Sequence, residues 1–280
     1  MRNIDAGEIA RAVKDLSMNA NYHLGEDVVA ALKKSAENEE SPLGKEILIQ
    51  ILENAKIADS QNMPLCQDTG LAAIFVELGQ DVHVQGGGLE EAVQEGIRQG
   101  YAEGYLRKSM VEDPLRRKNT GDNTPGVISV RVVPGDKLKI TLLPKGGGSE
   151  NMSAIRMLKP SDGEKGVKDF ILETVRNAGG NPCPPIIVGV GIGGSFDKCA
   201  FLAKKALLRR VGSAHSDSYY AEMERELLKR VNDTGIGPQG LGGRTTALAV
   251  HIETHPCHIA SLPVAVNTQC HSARHKEIVL

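Results

Sequence analysis

The sequence predicts an α+β fold in which N-terminal helices pack with a mixed β-sheet. Apolar residues recur at helical spacing through residues 1–60, and strand-like and helical segments are mixed along the remainder. Two strand-like segments, VISVRVV and KLKITLLPK, are joined by Pro134-Gly135-Asp136, which predicts an antiparallel hairpin. A strictly alternating parallel sheet is therefore not expected. Because there is no internal repeat or linker, residues 1–280 are predicted to form a single domain with a helical N-terminal part.

The helices of the first 60 residues follow from apolar spacing and from start signals. Ile9 and Leu16 lie at helical spacing in the first segment, and Asp5 is placed to cap it. DVVAALKKSAENEE predicts the second helix, and Pro42 at a first-turn position opens the third. We expect this part to be scaffold, because no reactive side chains cluster in it.

Beyond residue 60, short apolar runs alternate with polar loops. LAAIFVEL predicts a buried strand after the loop PLCQDTG, and the segment after Gly88 predicts a helix with Arg107 and Lys108 near its end, where the helix dipole favours cations. Three more helices and three more strands are expected from SDGEKGVKDFILETVRNAGG, FDKCAFLAKKALLRR and DSYYAEMERELLKRVNDTG, and from IIVGVGI, ALAVHIET and SLPVAVNT.

Composition and charge restrict the class of protein. The net charge is −2 at pH 7, so bulk electrostatics does not predict nucleic-acid binding. No apolar run is long enough for a membrane span, and the N-terminus lacks the apolar core of a secretory signal. We therefore expect a cytoplasmic protein. Aromatic residues make up 3% of the chain, so the core is expected to be aliphatic.

The glycine run of residues 189–194 has the spacing G-x-G-x-x-G between a predicted strand and a predicted helix. That context is the one that a dinucleotide fingerprint requires, so a nicotinamide-dependent oxidoreductase is one hypothesis. Two features oppose it. The fingerprint expects an acidic residue about 20 residues further on, at the end of a second strand, whereas VGSAHSDSYY lies between predicted helices. In addition, Cys183, flanked by prolines at the start of the strand, has no role in such a site.

The five cysteines are an odd number in a chain expected in the cytoplasm, which argues against a disulfide framework. Cys199 lies on an apolar helical segment and is expected in the core. Cys66, Cys183 and Cys270 lie in polar loops, far apart in sequence and without a CxxC motif, so a zinc ribbon is not expected. Thiols in this arrangement are compatible with an iron–sulfur cluster assembled by the fold, although inert buried thiols are the commoner case for cytosolic cysteines.

Four segments resemble the N-terminal catalytic region of class I fumarate hydratases, which is also the α subunit of two-subunit fumarases and of L(+)-tartrate dehydratase. They are CQDTG, GGGSENMSAIRMLKPSDG, CPPIIVGVGIGG and GIGPQGLGGRTTALAVHIETHPCHIASLPVAVNTQCHSARH, and the resemblance extends over residues 1–280. It implies the cluster-binding catalytic domain of a hydro-lyase that interconverts fumarate and (S)-malate. Its cofactor would be a 4Fe–4S cluster whose open iron acts as a Lewis acid.

The resemblance also assigns roles to individual residues. Cys66, Cys183 and Cys270 match the cluster ligands, Asp68 matches a proton carrier, and the positions that match substrate contacts are Gln67, Arg107, Gly147 and His258. Cys257 falls outside the ligand motifs. The residues themselves leave simpler interpretations open: Asp68 as a turn cap, Arg107 as a complement to a helix C-terminus, and His258 as a core histidine.

The resemblance further implies a partner. In the resembling enzymes a second region, fused or on a β subunit, supplies further basic substrate ligands and a catalytic base, and this sequence has no room for it after Cys270. We therefore expect a separate β subunit, a homodimer of αβ units and little activity of this chain alone. L(+)-tartrate is the alternative substrate to fumarate. A non-catalytic iron–sulfur protein, whose cluster uses a fourth ligand such as Cys257, is the remaining hypothesis.

Overall fold

The computed structural model describes all 280 residues. Its helices and strands confirm the α+β prediction. The helices are α1 (Ala6–Tyr22), α2 (Glu26–Asn38), α3 (Pro42–Gln61), α4 (Leu89–Glu103), α5 (Gly147–Glu150), α6 (Gly163–Ala178), α7 (Phe196–Ala206) and α8 (Ser218–Asn232). The strands are β1 (Arg2–Asp5), β2 (Leu71–Gly79), β3 (Val82–Gln85), β4 (Val127–Val133), β5 (Leu138–Lys145), β6 (Ala154–Leu158), β7 (Ile186–Gly193), β8 (Ala247–His255), β9 (Leu262–Gln269) and β10 (Lys276–Val279).

The chain forms two compact units, each built from separate stretches of sequence. The first unit comprises Met1–Leu24, Ala55–Gly147 and Arg274–Leu280. The second comprises Gly25–Asn54 and Gly148–Ala273. The sequence-based expectation of one catalytic domain remains a prediction.

The first unit contains a four-stranded sheet in the order β10-β5-β2-β4 and a small parallel pair, β1 with β3. In the larger sheet β2 runs antiparallel to β5 and parallel to β4. Helices α1 and α4 pack on each other, and their apolar faces form one core with β2 and β5. Fully buried residues of this core include Ile9 and Val13 of α1, Ile97 of α4 and Ile140 of β5. Apart from Tyr101, the buried residues of this core are aliphatic, as the composition predicts.

The second unit contains a four-stranded sheet in the order β6-β9-β7-β8, in which β7 is parallel to β8 and antiparallel to β9. Helices α6 and α8 share a core with one face of this sheet, to which β7 contributes Ile186, Val188 and Val190. Successive side chains of a strand point to opposite faces. The residues between these, Gly189 and Gly191, therefore lie on the other face, which α7 covers.

Close packing of α7 on β7 explains the glycine run. A Cβ added at Gly189 would lie 2.2 Å from the carbonyl oxygen of Ala203, and one at Gly191 would lie 2.0 Å from that of Cys199. Both glycines are therefore required where the backbone of a helix approaches a strand. Because they lie inside β7 and not in a loop after it, they offer no cradle for a pyrophosphate.

Several predicted elements agree with the structure. Asp5 caps α1 by accepting a hydrogen bond from the Gly7 amide (2.9 Å), and Pro42 begins α3. Strands β1, β3, β6 and β10 and the short helix α5 lie outside the predicted elements. No helix of the protein combines the length and the hydrophobicity needed to cross a bilayer.

The hairpin predicted between β4 and β5 is wrong. Strand β2 lies between them and pairs with both. The Pro134–Asp136 turn does not pair β4 with β5, because amides of the segment that follows β2 bind the carbonyls at this turn. The carbonyl of Gly135 accepts the Asp81 amide (3.0 Å), and the carbonyl of Val133 accepts the Gln80 amide (2.8 Å). The turn therefore passes over the end of β2.

Replacing Gly191 with Ala tests the close approach of α7 to β7. The added methyl group has to push helix backbone away from the sheet, so we expect the free energy of unfolding to fall by about 2–3 kcal/mol. Urea denaturation followed by circular dichroism measures this. Gly87→Ala is the control, because its new methyl group would meet only the Ala6 Cβ, at 3.2 Å. Equal stability of the two variants would contradict the packing argument.

Candidate active site

The CQDTG segment, residues 66–70, forms a turn between α3 and β2 in the first unit. The main-chain carbonyls of this turn are bound by side chains from other parts of the unit. The bonds run from Arg274 Nη2 to the Asp68 carbonyl (2.6 Å), from the Tyr101 hydroxyl to the Thr69 and Gly70 carbonyls (2.9 and 3.0 Å), and from Asn123 Nδ2 to the Gly70 carbonyl (3.2 Å). Since a turn cannot satisfy its own carbonyls, these donors fix its shape.

Asp68 is held at each of its polar groups. Its carboxylate accepts the Gly70 amide at Oδ1 (3.0 Å) and the Gly147 amide at Oδ2 (2.8 Å). Its own amide donates to the Sγ of Cys66 (3.4 Å). The interpretation of Asp68 as a turn cap is therefore correct in geometry, since its Oδ1 accepts the amide two residues further on. The same bonds bring Cys66, Asp68 and Gly147 together.

Gly70 must be glycine for the turn to reach β5. Its φ is +71°, and a Cβ at this position would lie 2.5 Å from the carbonyl carbon of Lys145. The contact is extended by the pairing of β2 with β5, in which Leu71 lies opposite Lys145. The Lys145 side chain is only 1% exposed. A buried ammonium group thus ends β5, immediately before Gly146 and Gly147.

The structure corrects the placement of Arg107. Helix α4 ends at Glu103, with Gly104 as its cap, and Tyr105 then adopts a left-handed φ of +52°. Arg107 therefore lies in the following loop and does not complement a helix C-terminus. Its side chain is exposed, and its carbonyl accepts the Thr69 hydroxyl (3.1 Å). That bond brings the Arg107 main chain to the CQDTG turn.

In the second unit, Cys183 and Cys270 lie at the same end of the sheet. Strands β7 and β9 are antiparallel, with Ile187 opposite Gln269, so the start of one meets the end of the other. The His271 amide donates to the Cys183 carbonyl (3.1 Å), which links the two cysteine loops directly. Cys183 is exposed and has a φ of +55°, while Cys270 is half-buried. The structure thus brings together two of the three predicted ligands within one unit.

The GIGPQGLGG loop supports the Cys183 loop. The carbonyl of Pro184 accepts two hydrogen bonds from Gln239, one from its amide and one from Nε2, each 2.8 Å long. Gly180 and Gly240 are in close contact, since a Cβ at Gly240 would lie 2.6 Å from the Gly180 Cα. The glycines of this motif therefore let two loops pack backbone against backbone.

His258 is exposed in the loop between β8 and β9, where its Nδ1 accepts the Ala260 amide (3.1 Å). The interpretation of His258 as a core histidine is wrong. The core histidine is His251 on β8, where burial lowers the pKa to about 4. Gln67 is likewise exposed, next to Asp68. Both residues are accessible, and their roles in substrate binding remain predictions.

The remaining two cysteines differ from the predicted ligands. Cys199 is a buried residue of α7, its Sγ donates to the Phe196 carbonyl (3.3 Å), and burial raises the pKa of its thiol. It belongs to the core, as predicted from its apolar neighbours. Cys257 is exposed, and its Sγ donates to the Ser261 carbonyl (3.3 Å). The hydrogen bonds of Cys199 and Cys257 therefore do not involve the CQDTG turn or the Cys183 loop.

The predicted cluster ligands are divided between the two units: Cys66 lies in the first, and Cys183 and Cys270 lie in the second. No three His, Cys, Asp or Glu side chains are grouped as a metal ion requires. The donor chemistry nevertheless fits an iron–sulfur cluster. None of the five cysteines is in a disulfide, the three ligand candidates are at least partly accessible, and an amide is directed at the Cys66 sulfur. Hydrogen bonds to sulfur are typical of cluster ligands.

Sequence reasoning missed two buried cations of the first unit, Lys145 and Arg274, and two buried donors, Tyr101 and Asn123. Lys145 follows an apolar strand directly, and Arg274 stands four residues after Cys270. A charged residue inside or beside an apolar or cysteine motif is the signal that could have indicated them, because isolated charges are rarely buried without a reason.

Comparison with known proteins agrees with the motifs. Residues 10–279 match the family described as fumarate hydratase (fumerase). A protein of Methanocaldococcus jannaschii named "Putative L(+)-tartrate dehydratase subunit alpha" is 45% identical over 273 residues, which cover 95% of each chain. The L(+)-tartrate dehydratase subunit alpha of Escherichia coli strain K12 is 34% identical over 270 residues, covering 95% of this chain and 89% of that protein. Because the family match extends over nearly the whole sequence, the resemblance is confirmed and the chain belongs to the fumarate hydratase (fumerase) family.

Proposed function

We propose that this chain is the α subunit of a cytoplasmic iron–sulfur hydro-lyase that interconverts fumarate and (S)-malate together with a β subunit. The observation that carries the proposal is the CQDTG turn, which presents a thiol and an oriented carboxylate on one rigid segment. Family membership supports the reaction class, and the names of the relatives, which are α subunits, support a partner chain. We further propose that two αβ units form a dimer.

The proposed cofactor is a 4Fe–4S cluster held by the thiolates of Cys66, Cys183 and Cys270. When bound, it supplies a Lewis acid, because three protein ligands leave one iron open. The chain contributes thiols that are not used in disulfides: Cys66 in the turn before β2, Cys183 in the loop before β7, and Cys270 directly after β9. Cys66 is further fixed by the amide of Asp68 (3.4 Å).

Asp68 is the proposed acid–base group. Dehydration of malate expels hydroxide, which needs a proton, and hydration returns that proton. The amides of Gly70 and Gly147 each occupy one carboxylate oxygen of Asp68 and so set the plane of the carboxyl group. Each oxygen retains a second lone pair for proton transfer. Gly147 therefore orients Asp68 through its amide, and its predicted contact with substrate stays a prediction.

Carboxylate recognition is assigned to exposed groups. The Arg107 guanidinium is permanently charged and stands in the loop that the Thr69 hydroxyl ties to the turn. His258 and Gln67 are exposed polar side chains that can donate to a carboxylate oxygen. A β subunit would supply the further basic ligands and the catalytic base that the resemblance implies.

L(+)-tartrate is the second candidate substrate, because the relatives carry the name L(+)-tartrate dehydratase. An affinity tag on this chain allows anaerobic purification with its natural partner, which mass spectrometry then identifies. After reconstitution with iron and sulfide, we expect faster turnover of fumarate, measured by its ultraviolet absorbance, than of tartrate, measured as oxaloacetate. Turnover of tartrate alone would favour the second candidate. A complex that holds a cluster but acts on neither acid would overturn the proposal.

Cys270→Ser tests the ligand assignment, with Cys257→Ser as its matched control. Serine is a poor ligand for cluster iron, so we expect Cys270→Ser to lose most of the visible cluster absorption and to fall more than about 100-fold in activity. Cys257→Ser should keep both, and circular dichroism should show both variants folded. Unchanged iron content and activity in Cys270→Ser would remove Cys270 from the ligand set.

Asp68→Asn tests the acid–base role. The amide keeps the shape of the carboxyl group but cannot transfer a proton, so kcat should fall by about 10²- to 10⁴-fold while iron content stays constant. Asp136→Asn, in the exposed turn after β4, is the control and should retain full activity. A kcat of Asp68→Asn within a factor of three of wild type would assign proton transfer to another group.

A further inference from the structure

Arg274 is the largest fully buried side chain of the protein, with 2% of its surface exposed. It begins the last segment of the first unit, Arg274–Leu280. Its Nη2 donates to the Asp68 carbonyl at 2.6 Å, whereas its Nε and Nη1 have no hydrogen-bond partner. The charge lies close enough to Tyr101 to act on that hydroxyl electrostatically. A permanently charged group is thus enclosed with two of its three nitrogens unsatisfied.

This arrangement is poor for stability. A guanidinium stays charged at all physiological pH values, and enclosing it without partners costs free energy. Replacing a buried charged group with an apolar residue of similar volume is often neutral or stabilising. Unsatisfied charge that persists in a folded protein is typical of a group retained for function. The single bond that Arg274 makes indicates which function this is.

That bond completes the fixation of Asp68. The Asp68 amide is anchored to Cys66 Sγ, its carboxylate is anchored to two amides, and its carbonyl is anchored to Arg274. Without Arg274, the peptide unit between Asp68 and Thr69 loses its charged donor and gains freedom to rotate. The Asp68 carboxylate would then keep its hydrogen bonds to the two amides but lose its fixed position. A displacement of about 1 Å in a catalytic group can cost about 10²-fold in rate.

We propose that Arg274 is a positioning residue of the active site, retained at a cost to stability, which fixes the main chain of Asp68 so that its carboxylate stays aligned with the substrate. The inference rests on the proposed acid–base role of Asp68. It assigns Arg274 no contact with substrate, because its nitrogens are enclosed by protein.

Arg274→Met tests the proposal in the anaerobically purified complex. Met fills the cavity without the unsatisfied N–H groups, so we expect the Tm to stay within about 2 °C of wild type or to rise. At the same time kcat should fall by about 10- to 100-fold, with KM within about threefold and with unchanged iron content. Arg274→Lys, which keeps the charge and a donor, should recover part of the lost kcat. Arg131→Met, on the exposed edge of β4, is the control and should match wild type.

Three results for Arg274→Met would overturn the inference. A lower Tm with unchanged kcat would give Arg274 a structural role only. A higher KM with unchanged kcat would make it a substrate-binding residue, and loss of iron would link it to the cluster. If Arg274→Met fails to fold, Arg274→Lys provides the test. Lysine changes the geometry of the hydrogen bond to the Asp68 carbonyl, so an unaltered kcat in this variant would contradict a positioning role. A wild-type complex inactive on both fumarate and tartrate overturns the proposed function and this inference together, whereas an active one isolates the test of Arg274.

Discussion

The main-chain carbonyls of residues 68–70 are bound by side chains, and the candidate site of the first unit depends on this constraint. A turn between a helix and a strand has no regular partner for these groups, and a buried carbonyl without a donor is costly. Tyr101, Asn123 and Arg274 supply the donors from α4, from the loop after it and from the C-terminal segment. Segments that are distant in sequence therefore converge on one turn. The positions of the Cys66 thiol and the Asp68 carboxylate follow from that convergence.

The second unit places its cysteines by the same kind of interaction. The register of β7 and β9 sets the start of one strand beside the end of the other, and a main-chain bond from His271 to Cys183 joins the two loops. Gln239 donates two hydrogen bonds to the Pro184 carbonyl, which ties a further loop to the Cys183 loop. In neither unit does a thiol owe its place to a disulfide. The fold alone presents these sulfurs.

The sequence predicted those features of the fold that depend on interactions between neighbouring residues. The Asp5 cap, the start of α3 at Pro42 and the buried strand β7 were readable from the sequence, because each depends on neighbouring residues. The hairpin was not, because the order of strands depends on the distant pairing of β2. The end of α4 was placed too late, since Gly104 ends the helix before Arg107. Arg274 was missed because a charged residue is ordinarily exposed, and only the three-dimensional structure shows that its single acceptor is the Asp68 carbonyl.

The choice between fumarate and tartrate cannot depend on carboxylate recognition, because these acids and malate all carry two carboxylates. In the proposed site, Arg107 would therefore provide affinity without discrimination. Selection between the two acids requires a group that reaches the additional hydroxyl of tartrate. A site built to hydrogen-bond a hydroxyl strongly rejects an analogue that lacks this hydroxyl, whereas an apolar site rejects an added hydroxyl only weakly. In the CQDTG turn, Gln67 is exposed beside Asp68, and its amide group can both donate and accept a hydrogen bond. If Gln67 contacts the substrate, as proposed, its environment would be a better guide to the substrate than the overall identity to a named relative.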